Sequence, residues 1–257
     1  ARPVQPNLPG AGMEHLFTLR TVEDTLKIRD FVVKEKPKSA VLAGGGYIGL
    51  EVAENLRELG MDVTIVQRPN QVLNPLDYEM ATFVHAKLRE KGIHLMLGHS
   101  VEGFEKDSDS LKVLLKDVDP LKADMVILAI GVAPDTHLAK DVGLKLGIKN
   151  SIVVNDHMET SVPDIYAVGD AVEVHHMVTG QQALISLAGP ANKQGRIAAD
   201  NICGGDSAYK GSQGSSVIKI FDMTVATTGL NGQSIFIPIQ PCILLSGRYH
   251  DDHESFV

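Results

Sequence analysis

The sequence has no tryptophan and only two cysteines, Cys203 and Cys242, in 257 residues. Two cysteines cannot build a disulfide framework or a cysteine-rich zinc site, and no Cys-x-x-Cys pair occurs. Such sparse use fits a reducing cytoplasm. Basic residues are in deficit: 24 Lys and Arg stand against 32 Asp and Glu, a formal charge of −8. A chain of that sign argues against nonspecific nucleic-acid binding. Long apolar runs are missing too. The uncharged stretch from Met223 to Gly247 is long enough to span a bilayer, but Pro238, Gln240 and Pro241 break its apolar part, Ile235 to Leu245, so no membrane helix is expected. No apolar run follows Ala1-Arg2-Pro3, so no signal peptide is read. The first residue is not Met, which gives the expectation of a processed or excised chain. Neither a G-x-S-x-G elbow nor a Walker motif ending in Gly-Lys-Ser/Thr is present, which removes the hydrolases and nucleotidases built on them.

What is there is ordinary for a globular protein, with 44% hydrophobic and 22% charged residues. The length allows one large domain or two modest ones. Residues 1–20, rich in Pro and Gly, read as an extended leading segment. Thr21 to Lys34 has helical spacing, with Thr21 as N-cap and Glu23-Asp24 in the first turn. Ser39 to Ala43 is a short apolar strand, Tyr47 to Leu59 a helix closed by Gly60, and Asp62 to Val66 a β-branched strand. Asp77 to Lys91 is a second strong helix, capped by Asp77, with Met80, Phe83, Val84 and Leu88 on one face. Ile93 to Leu97 is a third strand. Then Val101 to Phe104, Leu111 to Leu115 and Val118 to Leu121 form an antiparallel meander with polar turns. Met125 to Ile130 and Ile165 to Val168 read as buried strands, Ala188 to Cys203 as a helix, and Val217 to Phe221 and Thr224 to Thr228 as strands. Strands alternating with helices predict a doubly wound α/β fold.

Gly44-Gly45-Gly46-Tyr47-Ile48-Gly49 fits G-x-G-x-x-G between a strand and a helix, the context that a dinucleotide fingerprint requires. Gly44 allows the tight turn, Gly46 lets backbone approach a pyrophosphate, and Gly49 lets helix and strand pack closely. The helix N-terminus offers N–H groups and a positive dipole end to the phosphates. The fingerprint expects an acid at the end of the second strand, to bind the adenosine ribose. Gln67 stands there. It can bond a hydroxyl but lacks the charge that repels a 2′-phosphate, and Arg68 follows it, so NADPH stays open beside NADH.

Three segments in this order, Gly44 to Glu51, Val126 to Pro134 and Thr160 to Asp170, resemble the flavin-dependent pyridine nucleotide–disulfide oxidoreductases. The stretch Ala188 to Ile202, with Tyr209-Lys-Gly and Gly214 to Phe221, resembles the branch of coenzyme A-disulfide reductases, NADH oxidases and NADH peroxidases. The resemblance implies a Rossmann-like NAD(P)H-binding domain, with its parallel sheet, helices and meander, plus the partial remainder of an FAD-binding domain. Residues 1–37 would be the leading segment and a helix from the FAD domain, 38–150 the NAD(P)H domain and 151–216 the C-terminal part of the FAD domain. Residues 217–230 would begin the dimerisation domain, and 231–257 form an unmatched tail. The implied chemistry is hydride transfer from nicotinamide to flavin, then to a disulfide, persulfide, oxygen or peroxide. For NAD(P)H it implies Gly44, Gly46, Tyr47, Ile48, Gly49, Glu51, Gln67, Arg68 and Gly131; for FAD, Gly169, Asp170 and Ala188. Tyr47 would lie over the flavin and Glu51 near the carboxamide. The complete protein is expected to be a cytoplasmic homodimer.

Three departures qualify that expectation. The first FAD glycine motif and the redox cysteine of the family have no counterpart, the similarity ends near Leu230, and Gln67 replaces the acid. The expectation is therefore a fragment whose own chain holds no catalytic residue, with a stand-alone, non-catalytic nucleotide-binding module as the alternative. Cys203 is expected to be a buried, inert thiol; His175-His176 are not expected to hold a metal, because adjacent histidines rarely reach one ion without partners, and His250-Asp-Asp-His253 is expected to be a solvated terminus.

Overall fold

The computed structural model describes residues 1–232 and 247–249. Cys242, the prolines at 238 and 241, and His250 to His253 lie outside the described residues. The chain divides into two compact units, one holding Pro3–Gly131 with Val217–Val225, the other built mainly on Val132–Ser216.

The first unit is organised by a five-stranded parallel sheet in the order Leu16–Thr18, Met125–Leu128, Ser39–Ala43, Asp62–Gln67, Ile93–Leu97. Successive side chains of a strand point to opposite faces. Ala40, Leu42, Met125 and Ile127 therefore join one core cluster, together with Leu50, Ala53 and Leu56 of helix Tyr47–Glu58 and Val84 and Leu88 of helix Tyr78–Glu90. Val41, Ala43, Val126 and Leu128 join the other, with Phe104, Leu111, Val113 and Ala123 of the antiparallel meander Val101–Asp107, Ser110–Leu115, Val118–Ala123. Covering on both faces explains why Met125–Leu128 is an unbroken apolar run. Leu42, Leu50, Ile65 and Leu88 are fully buried, each stabilising the unit by about 1.5–3 kcal/mol.

Helix boundaries follow local chemistry. In Val22–Glu35 the Thr21 hydroxyl accepts the Asp24 N–H, and the Asp24 carboxylate accepts the Thr21 N–H, a reciprocal capping box. Gly60 and Gly92, both at positive φ, follow the next two helices. Asp77 occupies its N-cap position without a side-chain capping bond. The start of the central strand is clasped by Asp124, whose carboxylate accepts the N–H groups of Lys38 and Ser39 at 2.7 and 2.9 Å. Strands Ser216–Ile220 and Met223–Thr227 form a sheet with Gly247–Tyr249. Ile218, Ile220 and Met223 sit in the helix-side core, and Lys87 Nζ meets Asp222 and Glu90 at 3.2 and 2.9 Å.

The structure corrects four expectations. Leu16–Thr18 is a strand of the sheet rather than part of a featureless leading segment, because it pairs in register with Val126–Leu128. Ile165 to Val168 is not a buried strand. Among the described residues its pairing is a single bridge from Tyr166 to Glu159, and Ile165 and Val168 are 37% and 38% exposed. Its backbone bonds go instead to the adjacent turn, with Thr160 N–H donating to the Ile165 carbonyl and Ala167 N–H to that of Met158 at 2.8 and 3.0 Å. Phe83 is half exposed, on the rim of its helix rather than the core face. Cys203 is exposed, since it lies just past the last turn of helix Ala188–Ile202. Among the described residues, no helix is long and apolar enough to cross a membrane.

Candidate functional site

From Ser39–Ala43 the chain steps outward through Asp62–Gln67 and Ile93–Leu97, then returns through Met125–Leu128 on the opposite side of the same strand. The two connections diverge there, the place beyond the carboxyl ends of the strands where open α/β sheets typically hold their ligands. The glycine loop Gly44 to Gly49 and the segment Ala129 to Gly131 follow two neighbouring strands at that end. Gly44 N–H donates to the Val66 carbonyl at 2.8 Å, and Ala129 N–H to that of Ala43 at 2.8 Å.

The three fingerprint glycines do different work. Gly44 has φ +115°, and a Cβ there would run into the Ala129 carbonyl. A Cβ on Gly49 would strike the Gly44 carbonyl, so the helix can sit this close only on glycine. Gly46, in contrast, faces open space: among the described residues a Cβ would meet no atom within 4 Å. Gly46 is also the N-cap of Tyr47–Glu58 and brings no side chain of its own to cap that end. The space and the helix terminus fit a pyrophosphate approaching backbone N–H groups. Gly131, at φ +121°, likewise faces open space. Tyr47 and Ile48 are half-buried and Glu51 is exposed on the first turns of the helix.

Gln67 is buried and its carboxamide is engaged at both ends. Its Oε1 accepts the Gly45 N–H at 2.9 Å, and its Nε2 donates to the Gln71 carbonyl at 3.2 Å. The bracing continues beyond it. Gln71 Nε2 donates to the Leu76 carbonyl at 2.9 Å, Leu73 N–H to the Gly45 carbonyl at 2.9 Å, and Val72 N–H to His85 Nε2 at 3.2 Å. A Cβ on Gly45 would come within 2.8 Å of Val72 Cγ1. Burial, with the Arg89 charge, pushes the His85 imidazole below its ordinary 6.5, which keeps Nε2 free to accept. The sequence reading passed over Gln71 and His85. Their signal was polarity on otherwise apolar faces: His85 follows buried Val84 and lies between Ala81 and Leu88 on the core side of its helix.

The other expected residues lie in the second unit. Gly169, at φ +79°, and Asp170 form a 3-10 turn, and Gly169 N–H donates to Gln194 Oε1 at 2.7 Å. Gln194 is 1% exposed on helix Ala188–Ile202, and it too was missed. Asp170 is half-buried on that turn. Ala188 opens the helix and is exposed. His176 is a turn residue, its Nδ1 accepting the N–H groups of Val178 and Thr179.

The sequence profile of the pyridine nucleotide-disulphide oxidoreductases matches residues 1–195. This chain belongs to that family. Among curated members, the NAD(P)H coenzyme A polysulfide/persulfide reductase of Pyrococcus horikoshii is 36% identical, over 90% of this chain and 52% of its own length. Among solved members, reduced Bacillus anthracis CoADR-RHD is 47% identical with a TM-score of 0.86, over 90% of this chain and 42% of that one. The water-forming NADH oxidase of Lactobacillus brevis, solved bound to NADH, is 30% identical with a TM-score of 0.83, over 90% and 51%. The chain spans about half the length of the curated relatives it matches. The α/β architecture and its parallel, Rossmann-type sheet agree with the sequence expectation.

Proposed function

We propose that this chain supplies the NAD(P)H-binding part of an FAD-dependent oxidoreductase. That enzyme passes hydride from nicotinamide to flavin and on to a disulfide, persulfide, oxygen or peroxide acceptor. The carrying observation is the division of labour among the glycines: Gly44 and Gly49 are closed by backbone, while among the described residues Gly46 opens onto free space at a helix N-terminus to which it brings no side-chain cap. In this reading the Gly46 end of the helix holds the pyrophosphate, Gly131 lets the nucleotide lie close to backbone, and Tyr47 and Glu51 stand on the nicotinamide side. Residues 151–216 contribute to the flavin side, where Asp170 would accept hydrogen bonds from ribitol hydroxyls and Ala188 would lie near the ring. The flavin, when bound, supplies the two-electron chemistry, and the protein supplies position and electrostatics. The names of the relatives support the reaction class, since they cover NAD(P)H-linked persulfide reduction and NADH oxidation. A reducing, cytoplasmic setting and a homodimeric complete enzyme belong to the same reading.

The test is calorimetric titration of the purified 257-residue chain with NADH and NADPH. Saturable one-site binding at micromolar concentrations is expected. Absence of binding by both nucleotides would overturn the proposal.

A further inference from the structure

The glycine loop is gripped by a strained corner. Val72 and Leu73 are buried, and Leu73 stands at φ +48°, a left-handed conformation that a residue with a side chain keeps only where its surroundings over-determine it. What the corner holds is Gly45. Leu73 N–H donates to the Gly45 carbonyl at 2.9 Å, and a Cβ on Gly45 would come within 2.8 Å of Val72 Cγ1. Gly45 adjoins Gly46, the N-cap that faces open space, so a shift of the corner moves the loop proposed to hold the pyrophosphate. Gln67 holds the same residue separately, by its N–H, so losing the corner loosens the loop without releasing it altogether.

The corner in turn hangs on His85. This buried imidazole reaches across from helix Tyr78–Glu90, and its Nε2 accepts the Val72 N–H at 3.2 Å. A ring nitrogen accepts only while it bears no proton, so the bond requires the neutral tautomer with its hydrogen on Nδ1. A second proton must go to Nε2, the atom that holds the corner. Protonation therefore sets a donor against a donor and leaves a buried N–H unpaired. Among the described residues, the one charge whose field the ring feels is that of Arg89 on its own helix, and with burial it opposes protonation. Tyr78 stands edge-on to the ring at 6.4 Å, and Asp77 and Glu79 open the helix about two turns earlier. Loop 68–76 brings exposed Arg68 and neither Asp nor Glu. Strand Ile93–Leu97, packed on this helix, brings exposed His94, which meets Asp62 at 3.3 Å. Asp222 of the 217–225 segment and Glu90 both meet Lys87.

We propose that His85 is a positioning residue of the nucleotide site: neutral, it holds the Val72–Leu73 corner and with it Gly45, and protonated, it releases them and weakens nucleotide binding. The inference rests on the nucleotide reading given above and extends it to control by pH. Its sign sets it apart from a general charge effect. Acid makes the chain less negative, so Coulomb attraction alone would tighten the hold on a pyrophosphate. Release of the corner loosens it, because only molecules with the loop set can bind.

The experiment titrates NADH, read by its fluorescence within minutes of mixing, into the full chain as wild type, His85→Gln and His85→Leu. Titrations run between about pH 8 and about pH 5, with a thermal melt of each chain at each pH. Wild type is expected to lose at least about fivefold in affinity as pH falls below 6.5 while still folded, the worth of one hydrogen bond. His85→Leu removes the acceptor and should be weakened by a similar factor at every pH. His85→Gln offers Oε1 to the Val72 N–H and should recover part of that loss, with no acid step. A second readout follows the His85 ring of the wild type by proton NMR. Saturation with NADH should lower its titration midpoint, since binding and protonation oppose each other reciprocally. If His85→Leu fails to fold, His85→Gln and the ring titration decide. An acid loss of equal size in wild type and His85→Gln overturns the proposal, as does a ring midpoint that NADH leaves unmoved. So does a folded His85→Leu chain with wild-type affinity at about pH 8. Absence of NADH binding by the wild type at that pH overturns the underlying nucleotide reading, and the proposal with it.

Discussion

Gly46→Val separates binding from folding, because the structure gives the two costs different sizes. At φ −84° and ψ −170° the Gly46 backbone is in ordinary extended territory, and an added Cβ meets nothing within 4 Å. The folded state therefore loses only the preference for glycine over a branched residue at an N-cap, about 0.5–1 kcal/mol. In a chain of this size that lowers the melting temperature by about 1–4 °C. The free space that accepts the isopropyl group is the space proposed for the pyrophosphate. Displacing one charge-assisted hydrogen bond costs about 1.5–3 kcal/mol, so affinity should fall by at least tenfold, or about 1.4 kcal/mol. Gly49→Val is the contrasting variant: its side chain would meet the Gly44 carbonyl, and helix Tyr47–Glu58 would have to move off the sheet. Overpacking there should cost about 1–3 kcal/mol or more in stability. Calorimetric titration with NADPH and NADH, beside melts of both variants, reads the two effects separately. Wild-type affinity in a folded Gly46→Val chain would refute the assignment of that space.

Other parts of the molecule yield separate expectations. Asp124→Ala removes the acceptor for Lys38 and Ser39 N–H and should cost about 1 kcal/mol in urea unfolding. Burial raises the Asp124 carboxyl, but those hydrogen bonds outweigh it and hold the group below 3.8, so its contribution is present above pH 3.8 and fades as pH falls through the lowered value. An Asp124→Ala deficit that persists undiminished in strong acid would contradict this. His85 is held below 6.5 in the folded state, so as pH falls past 6.5 the unfolded chain takes up a proton first and stability declines. His176 in the second unit adds a slope of the same sign. His85→Gln should flatten the His85 part, and an equal slope in wild type and variant would remove His85 as its cause. Glu173 Oε2 accepts Ile148 N–H and the fully buried Ser151 hydroxyl at 2.7 and 2.8 Å. Glu173→Ala should therefore destabilise its unit by about 2–4 kcal/mol, and a melt shifted by under 1 °C would show the carboxylate is dispensable.

Much of the first unit was legible because its signals are local or periodic. The capping box at Thr21 and Asp24 needs only four residues, and the apolar run Met125–Leu128 announces a strand buried on both faces. What failed depended on distant partners. Leu16–Thr18 is three residues long and becomes a strand only by pairing with residues more than a hundred positions away. Ile165 to Val168 shows the converse, a strand-like sequence without a ladder. The close approaches at Gly44 and Gly49 were legible in the glycine fingerprint, since their roles are steric ones that sequence states directly. The burial of the Gln67 carboxamide was not legible, because rotamer and burial decide whether an amide faces a ligand or its own loop. Gln194 went unread for a related reason: its partner, Gly169 N–H, lies on a turn 25 positions earlier.

Amide chemical-shift mapping of the isotope-labelled chain during NADPH titration tests the central claim most directly. The account predicts that the largest shifts fall on Gly46 to Gly49, Arg68 and Gly131, saturating with one affinity. Shifts centred elsewhere, with the Gly46 to Gly49 amides silent at saturation, would contradict it.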